Sequence, residues 1–208
     1  MNPVYRYDID QNSDEWLEIK LGKFSASTCP DLLMSKSTKG YQNLIARIVE
    51  ERITGQQCEN NTFKGNWATD RGHELEPVAR VDYELRTLQV VKLVGVIELD
   101  DWTLCSPDGL ICDNGLHQIK CPIFSTQKEY LFNQFIGKDV IPNNYYKQMQ
   151  FELFISDRKF NVFTSFHPNL PAIDITVDRD EILISEIKMR LAEAKIEVEN
   201  EIKKIRNL

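Results

Sequence analysis

At 208 residues the chain is long enough to bury a sizeable core as one domain. Its 42% hydrophobic and 10% aromatic content is that of an ordinary globular protein and excludes a low-complexity chain. A net charge of −7, from 25 basic and 32 acidic side chains, excludes a uniformly basic coat for nucleic acid, whose affinity would come from counterion release. It leaves room for a basic channel on an acidic body, because Lys20, Lys23, Lys36, Lys39, Lys64 and Arg71 come early while the C-terminal stretch is rich in glutamate. The N-terminus has no basic start followed by an apolar core, and no apolar run approaches a membrane span, so a soluble cytoplasmic protein without a membrane partner is expected. Cys29, Cys58, Cys105, Cys112 and Cys121 contain no CxxC pair, which points to reduced, structural thiols rather than a disulfide framework or zinc cluster.

In chain order, residues 13–20 predict a short helix capped by Ser13 and stopped before Gly22. Residues 25–33 predict a second, with Ser27 near its start. From Tyr41 to Ile53 the apolar positions Leu44, Ile45, Ile48, Val49 and Ile53 recur at helical spacing and end before Gly55. A loop follows over 55–66. Helical periodicity returns over 69–85 with Val78, Ala79, Tyr83 and Leu85, and Pro77 should start or bend that helix. Three apolar or alternating runs, 88–100, 102–112 and 115–121, predict a strand meander, and Asp113-Asn114-Gly115 is a hairpin signal. Helices are expected over 125–135 and 142–157, strands over 159–167 and 172–178. A long helix from Arg179 to Asn207 should bury Ile182, Ile184, Ile187, Leu191, Ala194 and Ile196. The order predicts an α/β fold with a mixed sheet, read as one domain over residues 1–208.

The chemistry concentrates in Ser106-Pro107-Asp108-Gly109 and Gln118-Ile119-Lys120. Side chains alternate along a strand, so Gln118 and Lys120 share a face, and the hairpin folds that face beside Asp108. Oxygen donors there suit a hard divalent cation, with an ammonium group nearby to orient water or offset phosphate charge. A surface hairpin with a turn aspartate is the plain alternative for these three residues alone. The histidines His73, His117 and His167 show no ligand spacing, and no GxxxxGK[ST] phosphate loop is present.

Five segments in the same order, WLEIKLGKFSAS, RGHELEPVAR, SPDGL, GLHQIKCP and YYKQMQFEL, resemble the lambda-type phage exonucleases, the YqaJ-like viral recombinases of the PD-(D/E)xK nuclease superfamily, over roughly residues 16 to 157. The resemblance implies a restriction-endonuclease-like core, with a central mixed β-sheet flanked by helices. It implies a 5′-to-3′ exonuclease that resects linear duplex ends to leave 3′ overhangs for phage-type recombination by strand annealing. It also implies Mg2+, two ions with Mn2+ as a substitute, held by Glu76, Asp108, Gln118 and the Ile119 carbonyl. Lys120 and Gln148 would position or activate the attacking water. Lys20, Ser25 and Ser27 match the region that holds the terminal 5′ phosphate, Ser106 would face DNA phosphate, and Tyr145 could contact the same strand. Double-stranded DNA ends, a homotrimeric ring and a single-strand annealing protein are the implied partners, in the host cytoplasm for a phage-encoded chain.

Two positions depart from the family pattern. Lys20 stands where arginine is usual, which keeps the charge and loses the bidentate fork. Gln118 stands where a glutamate is expected, which removes one negative charge from the cation site. Three readings therefore stay open: an exonuclease whose branch carries Gln-x-Lys, a reduced-activity form in which glutamine has replaced glutamate, and a DNA-end-binding protein on the same fold. An endonuclease on the same core is a further alternative.

Overall fold

The computed structural model describes residues 2–58 and 67–208. The later part of the loop expected over 55–66, including Lys64, lies outside the described residues. The first half of the chain forms β1 (Val4–Arg6), α1 (Asp14–Lys20), β2 (Phe24–Ser25), a 3-10 turn (Ala26–Thr28), α2 (Cys29–Leu32), α3 (Lys39–Thr54) and α4 (Trp67–Thr87). The second half forms β3 (Val91–Lys92), β4 (Val96–Asp100), β5 (Thr103–Cys105), β6 (Gly109–Ile111), β7 (Gly115–Lys120), α5 (Phe124–Phe135), α6 (Asn143–Ser156), β8 (Phe160–His167), β9 (Leu170–Asp178) and α7 (Glu181–Arg206).

The α/β class with mixed sheets and flanking helices is as expected, but the strands form two sheets rather than one central sheet. Their orders are β1-β4-β5-β2 and β3-β6-β7-β8-β9. Each has a single parallel pair, β2 with β5 and β7 with β8. The apolar run 88–100, expected as one strand, divides around Gly95: β3 pairs with β6, while β4 pairs with β1 and β5. Gly95 crosses so close to the N-terminal segment that a Cβ there would lie 2.0 Å from the Ile9 carbonyl oxygen. The strand β1 itself was not foreseen, because three residues carry too little alternation to read.

The hairpin between β6 and β7 forms where the Asp-Asn-Gly signal put it, by a different device. The left-handed residue is Cys112, at φ 42°, and not Gly115. Gly115 is needed because a Cβ would meet the Phe160 ring at 2.4 Å.

The helix α6 touches β4 and β5 of one sheet and β7 and β8 of the other. Such a helix is enclosed on nearly every side, and residues 149–153 are all buried. One core cluster accordingly draws Ile97 and Cys105 from the first sheet, Leu110 and Leu116 from the second, and Phe151 and Leu153 from α6.

α7 packs on α3 and α6 through Ile184, Ile187, Leu191, Ala194 and Val198. Ile182 and Ile196, expected on that face, are exposed. α4 begins before residue 69 and continues through Pro77 without ending there. Its inward face is Ala79 and Tyr83, whereas Val78 and Leu85 are exposed, contrary to the periodicity reading. Among the described residues no disulfide forms.

Candidate active site

The β6–β7 hairpin builds the centre of the site. Gln118 and Lys120 leave β7 on the face covered by α6: Gln118 Oε1 accepts from Gln148 Nε2 at 2.8 Å, and Lys120 Nζ lies 5.1 Å from the centre of the Tyr145 ring. Asp108 immediately precedes β6, whose register pairs Gly109 with His117. Its Oδ2 therefore reaches β7, where it accepts from the Ile119 backbone N–H and from Gln118 Nε2, both at 2.6 Å. Gly109 lets β3 lie against this turn on the other side, since a Cβ would fall 2.2 Å from the Val91 side chain.

The opposite face of β7 meets α4, where Ile119 packs with Ala79 and Phe166. Glu76, Ala79, Arg80 and Tyr83 follow i, i+3, i+4, i+7 spacing, so the face that docks on the sheet is also the one that carries Glu76. Arg80 Nη2 donates to Glu76 Oε1 at 2.7 Å. Glu76, Arg80 and Asp108 line a cavity of about 230 Å³, closed on another side by Asp10, Gln11 and Asn12. Arg71, also on α4, fixes the end of β7 by donating to the Cys121 and Pro122 carbonyls.

Burial, and then the charge of Asp108, push the Glu76 carboxyl up to about 7, against the pull of Arg80 and Lys120. Asp108 is also raised, by burial, although Lys120, the Ile119 N–H and Gln118 oppose it. Two carboxyls raised by burial on one cavity form a site whose ionisation a cation would favour. With the Gln118 amide and the Ile119 carbonyl they make a hard oxygen donor set suited to a divalent ion of the magnesium type. Among the described residues no three His, Cys, Asp or Glu side chains gather as a metal-binding group. Gln118 adds an amide to Glu76 and Asp108, not a carboxylate.

A second group lies on the other side of Asp108. Lys20 Nζ sits over the Trp16 ring, 3.5 Å from its centre, and Trp16 Nε1 donates to Ser106 Oγ at 2.9 Å. The parallel pairing of Ser25 with Leu104 runs the segment after β2 alongside the one after β5, which carries Ser27 toward Ser106. Ser25 Oγ and Ser27 Oγ are 3.2 Å apart. Ser25 is buried and Ser27 exposed, so Ser27 is the hydroxyl within reach of a ligand. Burial, then neighbouring Arg47, bring Lys20 down to about 8, with Glu51 opposing. The structure thus gathers Asp108, Gln118, Ile119, Lys120, Tyr145 and Gln148, with Glu76 on the cavity that Asp108 also lines, while Lys20 and Ser106 meet across Trp16 and Ser25 pairs with Ser27. Tyr145 also stacks on Phe163, a packing role.

The model of the YqaJ-like viral recombinase domain matches residues 15–159. The chain belongs to this family. Among solved structures, this YqaJ-like chain is similar to an alkaline exonuclease (LHK-Exo) from Laribacter hongkongensis, at 33% identity and a TM-score of 0.81, covering 94% of this chain and 97% of that one. The complex of LHK-Exo with dAMP matches at 32% identity with the same coverage and TM-score. A phage-related exonuclease from Haemophilus somnus 129PT shares the fold at 15% identity and a TM-score of 0.67, over 88% of this chain and 96% of that one. No protein of curated function matches the sequence.

Three members of this YqaJ-like site escaped the sequence reading. Trp16 and Arg80 act as braces, one under Lys20 and Ser106 and the other beside Glu76. Glu152 is fully buried, accepts from Gln148 Nε2 at 2.9 Å and from Asn161 Nδ2 at 2.8 Å, and is pushed up to about 7 by burial, with Asp108 adding to the rise. Its only sequence signal was a charged residue one helical turn after Gln148 in an otherwise apolar stretch.

Proposed function

We propose that this chain is a Mg2+-dependent exonuclease that degrades the 5′ strand of linear duplex DNA, releasing 5′ mononucleotides and leaving 3′ overhangs. The observation that carries this reading is the convergence of Glu76 and Asp108, two carboxyls raised by burial, on one cavity, with the charge of Lys120 acting on both. Family membership and the likeness to LHK-Exo, an alkaline exonuclease seen with dAMP, support it.

Glu76, Asp108, Gln118 and the Ile119 carbonyl would hold two Mg2+ ions, with Mn2+ able to replace them. Bound there, the ions supply a nucleophilic water and stabilise the leaving oxygen. Lys120 and Gln148 orient that water against the scissile phosphate, and Lys120 offsets the charge that develops on it. Lys20 and Ser27 hold the 5′ phosphate, and Ser106 ties that pocket to Asp108 through two residues of chain. End recognition and hydrolysis are thereby coupled.

A homotrimeric ring fits the surface. Val78, Val81 and Leu85 on α4, with Leu88 just beyond its end, form an exposed apolar stripe, and Phe132 and Phe135 a second patch on α5. A closed ring needs two such unlike faces on each subunit. The exposed 3′ strand would pass to an annealing protein in the cytoplasm of the host. Among the described residues no helix is long and apolar enough to cross a membrane.

A second reading has one specific observation behind it. Gln118 turns a donor, not a lone pair, toward Asp108, which suits DNA-end binding with slow hydrolysis. Linear duplex labelled at either the 5′ or the 3′ terminus separates the two. Early release of labelled mononucleotide from the 5′ terminus supports the exonuclease, and retention of both labels on tightly bound DNA supports end binding.

A further inference from the structure

Glu152 has no part in the chemistry above, yet it is fully buried and stands one side chain away from Gln118. A buried carboxylate is costly unless donors meet it, and here two amides do, Gln148 on one oxygen and Asn161 on the other. The Gln148 nitrogen that donates to Glu152 also donates to Gln118 Oε1 at 2.8 Å. A primary amide has two N–H protons, so both are committed inward. Its Oε1 takes no hydrogen bond from any described residue and is left for an occupant of the site. Gln118, accepting with its oxygen, has only its nitrogen to offer Asp108, and that contact is 2.6 Å.

Carboxylates stand at both ends of this row, Glu152 beyond Gln148 and Asp108 beyond Gln118. An ionised carboxylate can only accept, so Gln148 must show it a nitrogen, and each amide in turn has its orientation fixed. A side chain at 152 that could also donate would release the Gln148 end of the row and leave Asp108 alone to hold the Gln118 end.

We propose that Glu152 is a positioning residue that sets the orientation of the Gln148 and Gln118 amides and thereby directs the Gln148 carbonyl oxygen at the attacking water. The part concerning water rests on the nuclease reading; the amide orientation stands without it.

Two arms test this. In the first, glutamine side-chain amides are labelled with 15N and observed without metal at about pH 9, above the value of about 7 that burial gives Glu152. The isosteric Glu152→Gln change should move the Gln148 and Gln118 signals together. It should leave Gln127, held by the Ser165 and Pro171 carbonyls, where it was. In the second, linear duplex is digested with Mg2+. Glu152→Gln should lower kcat about tenfold with KM for DNA little changed, the usual scale for loss of a partner behind a functional group. Glu152→Asp should recover part of the loss. In a Gln148→Ala background the Glu152→Gln change should cost less than about twofold, because its intermediary is gone. An unmoved Gln118 signal, a shift that spreads to Gln127, or a full tenfold loss in the Gln148→Ala background would overturn the proposal. If the parent chain digests no DNA, the nuclease reading fails and the amide signals alone decide the role of Glu152.

Discussion

Replacing Gln118 by glutamate converts the amide that faces Asp108 into another carboxylate. The 2.6 Å bond from Gln118 Nε2 to Asp108 Oδ2 is a donor to a charged acceptor, a contact worth about 1.5–3 kcal/mol. Its loss is compounded by like charges about 4 Å apart, which at an effective dielectric near 20 repel by about 4 kcal/mol. Proton uptake by the crowded carboxyls relieves part of that, since Asp108 and Glu76 already sit above their ordinary range. A net destabilisation of about 3 kcal/mol without metal follows, a fall in Tm of roughly 6–12 °C for a chain of this size. With Mg2+ the new carboxylate becomes a ligand, and binding to the folded state alone restores stability by mass action. Thermal unfolding of parent and Gln118→Glu in EDTA and across a Mg2+ titration measures both effects. Digestion of linear duplex at limiting Mg2+ should be faster for the variant. Equal Tm values in EDTA, or equal Mg2+ shifts for both proteins, would refute the reasoning.

Three further outcomes are expected. Glu76 and Glu152 both have folded-state values raised to about 7, above those of the unfolded chain, so the folded state retains protons that the unfolded chain releases. Their contribution is complete below the ordinary glutamate value and disappears as pH rises through 7, amounting to roughly 3 kcal/mol for Glu152; denaturant midpoints without metal should fall over that window, more weakly in Glu152→Gln, and a flat parent profile would contradict this. Lys20→Ala should raise KM about tenfold for 5′-phosphorylated ends and leave 5′-hydroxyl ends unaffected, whereas Lys20→Arg should strengthen the preference, as competition between the two substrates would show. Asp108→Asn should lower kcat about a thousandfold while the protein still binds duplex ends in a gel-shift assay; a loss of less than tenfold would remove Asp108 from the centre of the site.

The parts of the site that were legible in the sequence are those set by local geometry. Period-two alternation placed Gln118 and Lys120 on one face, and the hairpin signal brought Asp108 beside them. Non-local pairing was not legible: the segment of Ser25 and Ser27 runs beside that of Ser106 because β2 pairs in parallel with β5, a match of Ser25 with Leu104 that no short window contains. Glu152 was hidden because α6 is enclosed by both sheets, and a helix buried all round has no polar face against which a buried charge stands out. On α4 the larger apolar residues Val78 and Leu85 drew the eye, but docking follows the face with Glu76, Ala79, Arg80 and Tyr83, where a small alanine lets the helix approach β7 closely enough for its carboxylate to reach the site. The division of residues 88–100 between two sheets depends on the close crossing of Gly95 with Ile9, which one glycine within an apolar run does not announce.

Glu76, Asp108 and Lys120 are proposed to form a metal-dependent site that acts from DNA ends. Its most direct measurement compares a linear duplex with the same sequence as a covalently closed circle, each incubated with this chain in Mg2+ and in EDTA. The account predicts loss of the linear form alone, in Mg2+ alone, with mononucleotide as product. Rapid loss of closed circles, or degradation that persists in EDTA, would contradict it.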